Sequence, residues 1–170
     1  FPKDTRAFAA TGKRYGAPQT LVEWVIDINE ARKTAMAQRV LDSLDGNGNR
    51  TVAVLGLAFK PNTDDIREAP SLTIVEHLLA NGAEVRVHDP EAMENAEKLL
   101  KGVTFCDSAL DAATGADAVV IVTEWNAYRG MDLKELAGVM RGSRLIDLRN
   151  IFRDDDIEGS GLVHTAIGRG

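Results

Sequence analysis

The 170 residues carry 20 Lys and Arg against 26 Asp and Glu, a formal net charge of −6, with 44% hydrophobic and 27% charged residues. That balance fits a globular protein with one substantial core and excludes the basic face that a nucleic-acid partner needs. No apolar run approaches the roughly 20 residues that cross a bilayer, no basic-then-apolar leader is legible, and the single cysteine, Cys106, cannot form an internal disulfide, so no membrane partner and a cytoplasmic location are expected.

Residues 1–16 mix polar and apolar side chains, with Asp4 placed to cap a helical turn through Arg6 and Ala10. Pro18 suits the first turn of a second helix. Leu21, Val25, Ile28, Ala35, Met36, Val40 and Leu44 then keep a helical stripe over 19–44. Such a helix is about 38 Å long, more than one small domain covers. It reads either as a coiled-coil-like linker or as a dimerisation helix, and its length favours the second. Asp45-Gly46-Asn47-Gly48-Asn49 breaks the pattern and is expected to be the hinge into the next domain. The organisation predicted is therefore a helical part over 1–46 and an α/β domain over 50–170.

From Arg50 onward strands and helices alternate. Strands are predicted at 51–55, 84–88, 103–105, 117–123, 143–148 and 162–166, and helices at 71–80, 91–101, 107–113 and 132–140. Asn81-Gly82 is a glycine stop for the first of these helices. The unbroken apolar run from Ala118 to Val122 suits a strand buried on both faces. This alternation predicts a Rossmann-like α/β fold with a parallel sheet.

The loop after the first strand runs Gly56-Leu-Ala-Phe59-Lys60-Pro-Asn-Thr-Asp64-Asp65-Ile-Arg67-Glu68-Ala-Pro-Ser71. A dinucleotide fingerprint would want glycine where this loop has Ala58 and Pro61. The shape is that of a nucleotide-binding unit without its usual pyrophosphate signature. Asp89, at the end of the second strand, stands where a ribose-reading acid would be, although Asp89-Pro90 also reads as a strand-ending turn, which is favoured. Lys60 and Arg67 are suited to phosphate. Alternatively, both pair with Asp64, Asp65 or Glu68 as a solvated surface cluster.

This sixteen-residue loop, with its flanking strand and helix, closely resembles the C-terminal nucleotide-sugar domain of the UDP-glucose 6-dehydrogenases, within the UDP-glucose/GDP-mannose dehydrogenase family. Phe1-Pro2-Lys3-Asp4, Thr123-Glu124-Trp125 and Asp147-Leu148-Arg149-Asn150 are similar to further landmarks of that family. The resemblance implies that Phe59, Lys60 and Arg149 contact a UDP-sugar. It implies that Lys3 and Arg67 reach NAD, held mainly by a domain upstream, and that Asp4 helps to position and activate water or the alcohol. It also implies a homodimer through the helix near 19–44. In the family a cysteine directly preceding the Phe-Pro-Lys-Asp peptide captures the aldehyde as a thiohemiacetal, which is oxidised to a thioester and hydrolysed after two hydride transfers to NAD. Here that position precedes Phe1, so the chain is expected to be the back part of such an enzyme and inactive alone. UDP-glucose is the favoured substrate, with UDP-N-acetylmannosamine and GDP-mannose as alternatives, and a non-catalytic nucleotide-sugar-binding module as the reading from another class. Cys106 is read as a buried structural thiol. Trp125 is read as packing, and His77, His88 and His164 show no metal spacing.

Overall fold

The computed structural model describes residues 2–44 and 50–169. The expected hinge at 45–49 and Phe1 lie outside the described residues. In chain order the elements are α1 (Pro2–Arg14), α2 (Thr20–Ser43), β1 (Thr51–Leu55), α3 (Pro70–Ala80), β2 (Glu84–His88), α4 (Met93–Leu99), β3 (Val103–Phe105), α5 (Ala109–Ala113), β4 (Ala118–Ile121), α6 (Asn126–Arg129), α7 (Leu133–Val139), β5 (Arg144–Asp147), α8 (Asp154–Ile157) and β6 (Val163–Ala166).

The six strands form one sheet in the order β3-β2-β1-β4-β5-β6, and every neighbouring pair is parallel. This is the expected Rossmann-like α/β architecture. β1 and β4 are buried along their whole length, as their unbroken apolar runs require of central strands covered on both faces. The chain reverses its winding between β1 and β4, so a crevice opens at the carboxyl ends of these strands, where α/β sheets of this type bind ligands.

Three local expectations are corrected. Asp4 lies inside the first turn of α1 and not at its cap, because the helix already includes Pro2, whose fixed φ suits an early helical position. A carboxylate in the first turn still complements the helix dipole. α4 begins at Met93, later than expected, because Asp89 Oδ1 accepts from the Glu91 and Ala92 backbone N–H groups and holds those residues in a turn. The short helices α6 and α8, of four residues each, were not legible, since so brief a segment shows no full apolar period.

α2 divides into two halves. Ala37, Val40, Leu41 and Leu44 are buried in the same core as the sheet. Leu21, Trp24, Val25 and Ile28 are instead 54–76% exposed. Their spacing of three, four and seven residues places them on one face of the helix. The stripe predicted from sequence therefore serves the α/β core at one end and faces outward at the other. None of the described helices is long and apolar enough to cross a membrane.

Candidate functional site

The site grows from the turn that leaves β1. Gly56 has φ of 97°, and a Cβ there would come within 2.6 Å of Thr123 Cβ. Glycine is required on both counts, and the loop after β4 approaches closely as a result. The next two residues are tied down on every backbone polar group. Asp89 Oδ2 accepts from Leu57 N at 2.7 Å and from Ala58 N at 2.9 Å. Leu57 O accepts from Ser71 Oγ and Ala58 O from Thr123 Oγ1, both at 2.7 Å. Trp125 Nε1 donates to the same Asp89 oxygen at 3.1 Å. Asp89 is thus a buried organising carboxylate that accepts five N–H groups in all.

This arrangement does not fit a dinucleotide bound in the usual way at β1. The amides that would face a pyrophosphate donate inward to Asp89, and the acid that would read a ribose is consumed in holding them. Asp89 follows the strand-ending reading, and Trp125, buried against it, follows the packing reading.

Above the pinned turn lies a cavity of about 410 Å³. Its walls come from the loop after β1 (Phe59, Glu68), from the ends of β4 and β5 (Val122, Arg149) and from α2 (Lys33), with Pro2 of α1 also on its wall. Phe59 is 40% exposed, an apolar face offered to solvent beside cationic groups. Phe59 and Arg149, separated by ninety residues of sequence, therefore meet at one site.

Arg149 is held from two sides. Its backbone N–H donates to Asp147 Oδ1 at 3.0 Å, and Asp147 also accepts from Phe152 N. Its Nε donates to Glu124 Oε2 at 2.6 Å. That bond is the main reason the Glu124 carboxyl titrates below its ordinary range. With Nε engaged, the guanidinium is oriented, and its two terminal nitrogens make no hydrogen bond among the described residues and could meet a ligand.

The other expected residues are placed differently. Lys60 is exposed, and among the described residues no ion pair involves it. Arg67 is engaged: Nε and Nη2 both donate to Asp65, at 2.9 and 2.7 Å. This Asp65 pair is one of those that the surface-cluster alternative names. Asp65 is held at about 2, first by the side-chain bond from Arg67 and then by its backbone N–H. Lys3 and Asp4 are exposed on the first turn of α1, beside Pro2 in sequence. Lys3, Asp4, Lys60 and Arg67 do not line the cavity.

Two cavity residues escaped sequence reasoning. Lys33 is only 8% exposed, and Glu68 has φ of 60°, a left-handed conformation uncommon outside glycine and asparagine. A lysine in a helical pattern reads as surface, and no local signal marks a glutamate for positive φ. Cys106 is buried, and burial pushes its thiol above the ordinary range. Among the described residues no group of three His, Cys, Asp or Glu is arranged to hold a metal.

Comparison with known proteins adds four findings. Residues 53–154 match the family described as UDP-glucose/GDP-mannose dehydrogenase family, UDP binding domain. The chain is 44% identical to the UDP-glucose 6-dehydrogenase of Rhizobium meliloti (strain 1021), over 99% of this chain but 39% of that protein. Among solved structures it is similar to a UDP-glucose dehydrogenase from Pyrobaculum islandicum (TM-score 0.76, 38% identity, 86% of this chain and 33% of that one). It is also similar to a UDP-D-ManNAc dehydrogenase from Pyrococcus horikoshii (TM-score 0.72, 32% identity, 88% of this chain and 34% of that one). The chain thus spans well under half the length of the relatives it matches.

Proposed function

The chain belongs to the UDP-glucose/GDP-mannose dehydrogenase family, and on that premise we propose that it supplies the sugar-nucleotide site of an NAD-dependent enzyme oxidising UDP-glucose to UDP-glucuronate. The observation that carries this reading is the cavity at the carboxyl edge of the sheet, where Phe59 and the oriented Arg149 converge. An aromatic face and a guanidinium suit a uracil or sugar ring and a diphosphate. Lys60, exposed and next to Phe59 in sequence, would add a point charge. Pro2 brings the first turn of α1 to the same cavity; Asp4 itself does not line it, and the role of positioning water or alcohol rests on the likeness of Phe1-Pro2-Lys3-Asp4 to the family's peptide.

NAD, when bound, would accept the hydrides. The pinned turn after β1 argues that another part of the full-length protein holds it, with Lys3 and Arg67 approaching from this chain. Arg67 would have to leave Asp65 to do so. Cys106, buried and with its thiol pushed up, is unsuited to nucleophilic attack, so these residues alone are expected to be inactive. A reducing cytoplasm suits the lone buried thiol.

The exposed stripe on α2 supports a homodimer. Leu21, Trp24, Val25 and Ile28 form a continuous apolar face, and a second copy of the same helix would cover it symmetrically. Replacing Leu21 and Val25 together with glutamate is expected to convert a dimer into a monomer in sedimentation experiments. An unchanged dimer mass would remove this face from the interface.

The test of the activity is NADH formation by the full-length protein with UDP-glucose, UDP-N-acetylmannosamine and GDP-mannose in turn. Two NADH per UDP-glucose is the expected result. Turnover with another sugar alone would move the substrate assignment, and none with any would favour a binding module.

A further inference from the structure

Four charged side chains form a closed ring between the helices and the substrate loop. Arg6 on α1 donates through Nη1 to Glu68 Oε1 and through Nη2 to Glu30 Oε1, the latter at 2.7 Å. Lys33 Nζ donates to both oxygens of Glu30, at 3.1 and 3.3 Å, and lies 4.0 Å from Glu68 Oε2. The charges alternate around the ring, so it is neutral, and each cation is shared by the two anions. Glu30 and Lys33 belong to α2, one turn apart. Arg6 belongs to the helix that carries Lys3 and Asp4, and Glu68 ends the loop that carries Phe59, Lys60 and Arg67.

The ring is unlike an ordinary surface pair in two ways. The Lys33 side chain is 9% exposed, so its ammonium depends on these carboxylates for compensation. Glu68 occupies a left-handed backbone conformation, which a non-glycine residue keeps only where its surroundings hold it. Its carboxylate is held by Arg6 and Lys33 while its own backbone sets the exit of the loop toward α3. Glu68 and Lys33 also line the cavity. Anything that orders the loop from the cavity side thus acts on the residue to which α1 is tied.

We propose that Glu68 is a positioning residue that couples occupancy of the sugar-nucleotide cavity to the placement of α1, through Arg6. The coupling rests on the nucleotide-sugar reading of the cavity and extends it. A ligand that fixes Phe59 and Lys60 reduces the freedom of the loop, the ring passes that restraint to Arg6, and the first turn of α1, with Lys3 and Asp4, is steadied when substrate is present. Coupling by shared ordering needs no large displacement, only a segment whose local opening the ligand suppresses.

Hydrogen exchange on the full-length protein tests this, with UDP-glucose as the probe. In the unsubstituted protein UDP-glucose is expected to slow exchange in residues 59–66 and, by about tenfold, within the range of ordinary coupling between sites, in α1. In Glu68→Asn, chosen because asparagine tolerates the left-handed backbone, the loop remains slowed while the effect on α1 is lost. Arg6→Met, which leaves the loop sequence untouched, gives the same pattern. Slowing of α1 that persists in both variants overturns the coupling, as does slowing of the loop alone in the unsubstituted protein. No slowing at either segment there overturns the nucleotide-sugar reading, and the coupling with it.

Discussion

Asp89→Ala is expected to destabilise the fold by roughly 3–5 kcal/mol, in the range reached when buried polar groups lose their partners. The residue is 1% exposed, and four of its five donors, Leu57 N, Ala58 N, Ala92 N and Trp125 Nε1, are themselves in buried pairings. Alanine leaves these with no acceptor in a space no larger than a carboxylate. Asp89→Asn is expected to cost less, about 2–3 kcal/mol. It keeps one acceptor oxygen, but whichever way the amide turns, its NH₂ faces N–H donors. Equilibrium urea unfolding followed by circular dichroism measures both, since a single core of this kind unfolds cooperatively. A loss under 1 kcal/mol for the alanine variant would mean that the carboxylate does not organise the turn. The substitution also bears on the site: with Leu57 and Ala58 released, Phe59 loses its fixed starting point, so UDP affinity should fall together with stability.

The sheet was legible because its strands announce themselves. Val52 to Leu55 and Ala118 to Ile121 are continuous apolar runs bounded by turn residues, and the intervening segments show helical spacing. The glycine deficit in the loop after β1 was legible too, and its physical meaning is now plain: the amides are turned to Asp89. What the sequence could not show were relations set by tertiary approach. That Glu124 orients Arg149 across twenty-five residues, that Lys33 is desolvated, and that Glu68 adopts positive φ all depend on which surfaces the fold brings together. Arg67 is instructive in another way. Its pairing with Asp65 two residues back is local, and the sequence offered that partner alongside the phosphate role without a means to choose between them.

Lys60→Ala in the full-length protein is expected to raise the dissociation constant for UDP-glucose about thirtyfold, equivalent to about 2 kcal/mol for removal of a charge that pairs with phosphate. The expectation sits at the lower end for such contacts because Lys60 is exposed, where water and salt screen it. For the same reason the gap between the two proteins should narrow as ionic strength rises. Asp4→Asn should behave oppositely, lowering kcat by about a hundredfold while leaving KM within about twofold, as for a group that acts on the reacting atoms and not on ground-state binding. Calorimetric titration gives the affinities and steady-state NADH formation the rates. Unchanged affinity in the Lys60 variant would remove the loop from the phosphate site. A rise in KM without loss of kcat in the Asp4 variant would make Asp4 a binding residue and leave the reacting centre to groups outside these residues. The contrast between the two variants matters more than either alone. The loop at 56–71 and the first turn of α1 meet at one cavity, and only a division of labour between them gives one substitution an effect on affinity and the other an effect on rate.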